Sequence, residues 1–171
     1  MQKKPWLWGP LSLLGLGLAA FVVLVDQLHK GWMLGPFDIQ NKGRVPVAPF
    51  LDLVFVKNTG VSYGLFLQNS RQGQWILAAF AGVAVLAMAV WLARGVTTRL
   101  VAASLGLIIG GAVSNAIDRV VLGGVADFFS LHAFGFYWYV FNIADVAIVA
   151  GVLGLLYDSL ALSRKDASKA L

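Results

Sequence analysis

The chain has no cysteine in its 171 residues. Disulfides, thiolate catalysis and Cys-based metal sites are therefore excluded. Imidazole is almost absent too. His29 and His132 are the only histidines, and without an H-E-x-x-H pair a zinc protease has no ligand set. No metal or other cofactor is expected. Charge is the third scarcity: only 12% of residues are charged, against about a quarter in soluble domains.

What is present is hydrophobic, at 59% of the chain. Three runs carry no charge, between Lys4 and Asp26, Arg71 and Arg94, and Arg99 and Asp118. A fourth, from about Tyr139 to Leu160, is broken only by Asp145 and Asp158. A spanning helix needs about 20 mostly apolar residues. The expectation is a mainly α, polytopic membrane protein, a single domain over 1–171, with spans near 6–28, 75–93, 100–118 and 139–160. The first run follows Lys3-Lys4 like a signal peptide, but it is long and has no A-x-A site, so it reads as an uncleaved span.

The net charge of +5 is placed for a membrane rather than for nucleic acid. Lys3 and Lys4 precede span one, Arg94 and Arg99 bracket the second loop, and Arg164, Lys165 and Lys169 follow span four. Four spans put these on one side, which the positive-inside rule makes cytoplasmic. Both termini are then cytoplasmic and the other two loops face outward.

The outer loops carry the features of interest. In the first, Leu51, Leu53 and Phe55 alternate with Asp52, Val54 and Val56, a strand period of two. Lys57-Asn58-Thr59-Gly60 reads as a turn, and 61–67 as a returning strand. A small sheet over about 38–68 lies on the outer surface. Asn58 is either a turn residue or part of a site. The second, about 120–138, begins with Gly123-Gly124 and holds Phe128, Phe129, Phe134, Phe136, Tyr137 and Trp138. It reads as an amphipathic interfacial connector, hinged at the glycines and able to act as a lid.

Polar residues inside the spans cost roughly 2.5–3.5 kcal/mol each when charged. Gly106 and Gly110 permit close helix packing, and Gly111, Asn115 and Asp118 form one stripe at i, i+4 and i+7. Asn142 and Asp145 share a face of span four. Asp145 would lie about 9 Å inside it at 1.5 Å per residue. Asp26, His29 and Lys30 at the end of span one are either an interfacial ion pair or part of the site. Ser114 has no lysine nearby in sequence and reads as packing, not as a Ser–Lys nucleophile. Asp127 and Asp145, brought close in an apolar setting, would share a proton and could act as base and acid on a peptide bond. The residues alone leave three readings open: an aspartyl hydrolase, a small proton- or ion-coupled transporter or channel subunit, and a structural protein.

The chain resembles the lipoprotein signal peptidases, or type II signal peptidases. The resemblance rests on Asp26-Gln27 with Lys30, Asn58-Thr59-Gly60 with Gly64, Gly110-Gly111-Ala112 with Asn115 and Asp118-Arg119, Val125 with Asp127-Phe128, and Phe141-Asn142 with Ala144-Asp145. It implies that Asp127 and Asp145 are the catalytic dyad, and that Asn58, Gly111, Asn115, Asp118, Arg119 and Asn142 line or support the site. It implies four membrane helices, a small periplasmic sheet and a mobile segment before the fourth helix. The implied substrates are prolipoproteins carrying a diacylglyceryl cysteine, cut just before that cysteine at the bacterial inner membrane. Membrane lipid and globomycin-type inhibitors are the other implied partners, and the enzyme is expected to be a monomer. His29, where Ser or Thr is common, and Ser62, where Ala is common, are small departures.

Overall fold

The computed structural model describes residues 8–60 and 70–169, with side chains to Ala161. Five helices and four strands follow in the order α1 (Ser12–Leu34), α2 (Ile39–Lys42), β1 (Val45–Ala48), β2 (Leu51–Asn58), α3 (Arg71–Gly95), α4 (Arg99–Val121), β3 (Val125–Ala133), β4 (Phe136–Phe141) and α5 (Ile143–Lys169). Among the described residues, α1, α3, α4 and α5 are long and apolar enough to cross a membrane. The mainly helical, four-span expectation holds.

Helix α4 is the centre of the bundle. It packs on α1, α3 and α5 and is the most buried of the four. Its glycines let the neighbours come close. A Cβ on Gly110 would lie 2.6 Å from the Ala19 carbonyl oxygen of α1. A Cβ on Gly106 would run into the Gly15 carbonyl of α1, and one on Gly111 into the Ala144 carbonyl of α5. The three glycines thus seat α1 on one side of α4 and the start of α5 on the other. Ala19, Leu92, Ala102, Leu105 and Ile109 fill the core between α1, α3 and α4.

Spans one and four are displaced from their expected positions. Helix α1 starts at Ser12, after the turn at Pro10, and continues through Asp26, His29 and Lys30 to Leu34. Charge marked the expected end, but Asp26 and Lys30 are buried against α4 and do not stop the helix. They are therefore a buried pair rather than an exposed one. Helix α5 starts at Ile143, not near 139, because 136–141 is a strand. Asp145 is then in the first turn of the helix rather than six residues inside it.

The sheet is antiparallel, in the order β1-β2-β3-β4. Strands β2 and β3 pair from Leu51↔Leu131 to Asn58↔Val125, although α3 and α4 lie between them in the chain. The expected connector over 120–138 is corrected here. It forms β3 and half of β4, and β3 is an inner strand with partners on both edges. A lid hinged at Gly123-Gly124 would have to break the β2–β3 ladder. Gly123 instead makes a fixed turn at φ 71°. The strand is hard to see in the sequence because Val125, Ala126, Asp127 and Phe128 are all buried in succession. With both faces covered, the period-two signal disappears. The returning strand expected at 61–67 lies outside the described residues. Away from the helices, Arg44 Nη1 sits 2.6 Å from Asp52 Oδ2 and His132 Nε2 sits 3.3 Å from it. The hydrogen bond from Arg44 holds the Asp52 carboxyl below the usual range; burial opposes it and His132 adds to it.

Gly111→Val should destabilise the protein by about 1–3 kcal/mol through overpacking against α5. Gly82→Ala, on a face with nothing within 4 Å, should be neutral or stabilising by up to about 1 kcal/mol. Thermal unfolding of the purified variants checks both. Equal midpoints for the two would show that the Gly111 contact does not hold α5.

Candidate active site

Asp145 is placed by the way α5 begins. Asn142 immediately precedes the helix and accepts at Oδ1 from the Asp145 backbone N–H at 2.9 Å. The Asn142 backbone N–H donates back to Asp145 Oδ2 at 3.2 Å. This is a reciprocal capping box, which satisfies two end groups of the helix at once. A carboxylate in the first turn is also favoured by the helix dipole. The spacing of three between Asn142 and Asp145 is therefore a cap and not only a shared face.

Asp127 comes from the inner strand β3, fully buried. Asn142 Nδ2 donates to its Oδ1 at 2.7 Å, and Asn58 Nδ2, from the end of β2, to its Oδ2 at 3.2 Å. Asn142 thus touches both aspartates, one through its side chain and one through its backbone. Asn115 Nδ2 donates to Asp145 Oδ1 at 2.9 Å, and Asn115 Oδ1 accepts from Asn142 Nδ2 at 3.1 Å. Three asparagines from β2, α4 and the α5 cap therefore frame the pair. Burial pushes the Asp127 carboxyl up to about 7, the Asp145 charge adds to the rise, and the Asn58 and Asn142 hydrogen bonds oppose it. Two carboxyls this close in a buried site disfavour ionisation of both at once.

The other expected residues converge on the same place. Asp118 Oδ2 accepts from the Ala126 backbone N–H at 3.1 Å, next to Asp127. Arg119 donates from Nη1 to the Asn115 carbonyl at 3.2 Å and from Nη2 to the Gly60 carbonyl at 3.0 Å. It ties α4 to the turn after β2. Asp26 and Lys30 lie buried beneath the pair. Gly111 contributes space rather than a polar group. Three contributors were not expected. Gln27 Nε2 donates to Asp118 Oδ1 at 2.9 Å and to Ser114 Oγ at 2.9 Å. Tyr139 Oη accepts from Asn58 Nδ2. Ser114 Oγ donates to Asp26 Oδ2 at 2.6 Å. A hydroxyl that donates to a carboxylate and receives from an amide is fixed in a frame, so Ser114 is not a nucleophile. No local pattern separates Gln27 or Tyr139 from helix packing and an aromatic belt; only their distant partners do.

A groove of about 530 Å³ opens beside the pair. Trp138 and Phe141 of β4 and Val146, Val149 and Leu153 of α5 line it, and among the described residues Asp145 is its only charged lining residue. An apolar channel that ends at a carboxylate can hold a greasy chain and present a polar bond to that carboxylate. Among the described residues no cluster of His, Asp or Glu could hold a metal ion.

Four apolar helices with two interacting aspartates at the junction of sheet and bundle define a polytopic membrane protein with an aspartyl site. Residues 18–161 match the family described as Signal peptidase (SPase) II, and the chain belongs to that family of proteases. It is 52% identical over 144 residues to the lipoprotein signal peptidase of Beijerinckia indica subsp. indica, covering 84% of this chain and 86% of that one. It is 55% identical over 148 residues to the lipoprotein signal peptidase of Rhodopseudomonas palustris, covering 84% and 90%. A solved structure described as a bacterial membrane enzyme superposes with a TM-score of 0.70 at 26% identity, over 86% of this chain and 88% of that one. The transporter reading gains no support from any of these.

Titration of the Asp127 carboxyl, followed by its carbonyl stretch in isotope-edited infrared spectra, should have a midpoint near 7. Asn58→Ala removes a donor to the ionised form and should move the midpoint upward. The folded chain holds this proton where the unfolded chain has released it, so this group's contribution to stability falls as pH rises between about 4 and 7. A midpoint in the ordinary carboxyl range, or a downward shift in Asn58→Ala, would exclude the shared proton.

Proposed function

We propose that Asp127 and Asp145 are the catalytic pair of a membrane aspartyl endopeptidase that removes the signal peptide from diacylglyceryl-modified prolipoproteins, cutting before the lipidated cysteine. The observation that carries this is the junction of the Asn142-bridged aspartates with the apolar groove along α5. The lipid chains and the apolar signal segment stay in the bilayer, and the groove delivers the scissile bond to the pair. Family membership supports the same reading.

Near neutral pH the pair holds one proton, carried by Asp127. Asp145, ionised and receiving N–H bonds from Asn115 and Asn142, takes a proton from a water molecule. The resulting hydroxyl attacks the scissile carbonyl carbon while Asp127 gives its proton to the carbonyl oxygen, forming a gem-diol. Return of a proton from the diol to Asp127 and transfer of the Asp145 proton to the leaving nitrogen break the C–N bond. The pair ends with the one proton it began with. General acid–base assistance of this kind contributes typically 10²–10⁴-fold.

The site faces the periplasm and the termini the cytoplasm in this reading. Its support is that Arg94 and Arg99 lie at the end of the bundle where Gly9 meets the end of α3, opposite the aspartates, together with the positive-inside rule. The enzyme acts as a monomer in this reading. A globomycin-type inhibitor would compete for the groove.

Asp127→Asn and Asp145→Asn should each abolish cleavage of a lipidated prolipoprotein while leaving thermal stability intact, because losing either proton-transfer role removes the unit. The unlipidated twin should stay uncut by the wild-type protein. Near-normal turnover in either variant would remove that residue from the chemistry, and equal cleavage of the two substrates would remove the lipid from recognition.

A further inference from the structure

Lys30 is 2% exposed, on a helix face inside the bundle. An ammonium has three N–H groups and no acceptor, and all three are used. Lys30 Nζ lies 2.6 Å from Asp26 Oδ2, 2.7 Å from Asp118 Oδ2 and 3.3 Å from Asn115 Oδ1. Each of these partners holds one element of the reacting pair. Asp26 Oδ1 accepts from the Ala144 N–H at 3.0 Å, beside Asp145. Asp118 Oδ2 accepts from the Ala126 N–H, beside Asp127. Asn115 Nδ2 donates to Asp145 itself. Ala126 and Ala144 are themselves almost fully buried.

We propose that Lys30 is the positioning residue of the aspartate pair: one cation on α1 orients Asp26, Asp118 and Asn115, and these three set where β3 and α5 bring Asp127 and Asp145 together. The proposal rests on the assignment of that pair as the reacting groups. Two buried carboxylates are tolerable here only because a cation is bonded to both. Their orientation in turn is what allows each to accept a backbone N–H. Lys30 touches neither Asp127 nor Asp145 through a hydrogen bond, so it works through its neighbours. Its charge also favours the ionised form of Asp127. Arginine is no substitute, because a planar fork cannot aim three donors at three separate acceptors around one point.

The test uses the full chain in detergent or bilayer. Lys30→Met should lower kcat about 10- to 100-fold, the scale of a lost charge-assisted positioning bond, with KM within about twofold. The infrared midpoint of Asp127 and the alkaline limb of the rate profile should both move to higher pH. Asp26→Asn combined with Lys30→Met leaves the frame's net charge at −1, as in the wild type, and keeps an acceptor for the Ala144 N–H. It should recover at least fivefold in kcat over Lys30→Met. Should Lys30→Met fail to accumulate, the double variant carries the test alone, with kcat about 2- to 20-fold below wild type and the midpoint still raised. A folded Lys30→Met with wild-type kcat and an unmoved Asp127 midpoint would overturn the proposal. So would a loss confined to KM, or a double variant equal to the wild type in both readouts. Asp127→Asn in the same assay separates the two questions. If it is active, the pair assignment fails; if it is inactive beside a wild-type-like Lys30→Met, only the frame fails.

Discussion

A buried ammonium between two buried carboxylates holds this fold together at its functional end. Lys30, Asp26 and Asp118 have little access to solvent, so their hydrogen bonds must be found within the protein. That requirement draws α1 and α4 together and leaves spare carboxylate oxygens pointing at the first turn of α5 and the first residues of β3. The small residues at Gly106, Gly110 and Gly111 are the steric counterpart. They allow the backbones to approach until such short side chains can reach across.

The sheet is built onto this frame. Strand β3 leaves the end of α4 through the Gly123 turn and enters between β2 and β4, and its second buried residue is held by Asp118. Asp127 therefore sits on a strand paired on both edges, and Asp145 in a capped first helical turn. Neither is on a loose loop. Rigid support of this kind suits acid–base chemistry, where small errors in position are costly. The apolar groove along α5 reaches Asp145, with Trp138 and Phe141 of β4 as one wall. One aspartate is thus shared between a polar interior and a greasy channel, which is the arrangement an enzyme acting on a lipid-anchored peptide needs.

Much is legible in the residues. Four nearly charge-free runs locate the spans, since a helix that crosses hydrocarbon can carry very little charge. The same cost makes Asn115, Asp118 and Asp145 candidates, and these do meet Asn58, Asp127 and Asn142 from the outer segments. The differences between expectation and structure share a cause. Charge places the end of α1 too early, because nothing local says that Asp26 and Lys30 have partners 85 and more residues away. Strand β3 looks like a surface segment because burial on both faces erases its alternation. The expected start of α5 is too early because Phe136 to Phe141 is apolar enough to extend a span.

Composition and local periodicity were enough to settle a mainly helical membrane protein with four spans, and to mark its intramembrane Asp and Asn residues as candidates. Every stretch of chain carries such signals within itself. Three features came only with the packed chain: Lys30 as a buried member of the frame, 120–138 as the completion of a sheet begun before α3, and Asn142 as the cap of one aspartate and the holder of the other. They depend on which residues from α1, β2, α4, β3 and α5 share one small volume. A hydrogen bond has no trace in the sequence when its donor and acceptor lie in different elements, and the geometry of this pair is made of such bonds.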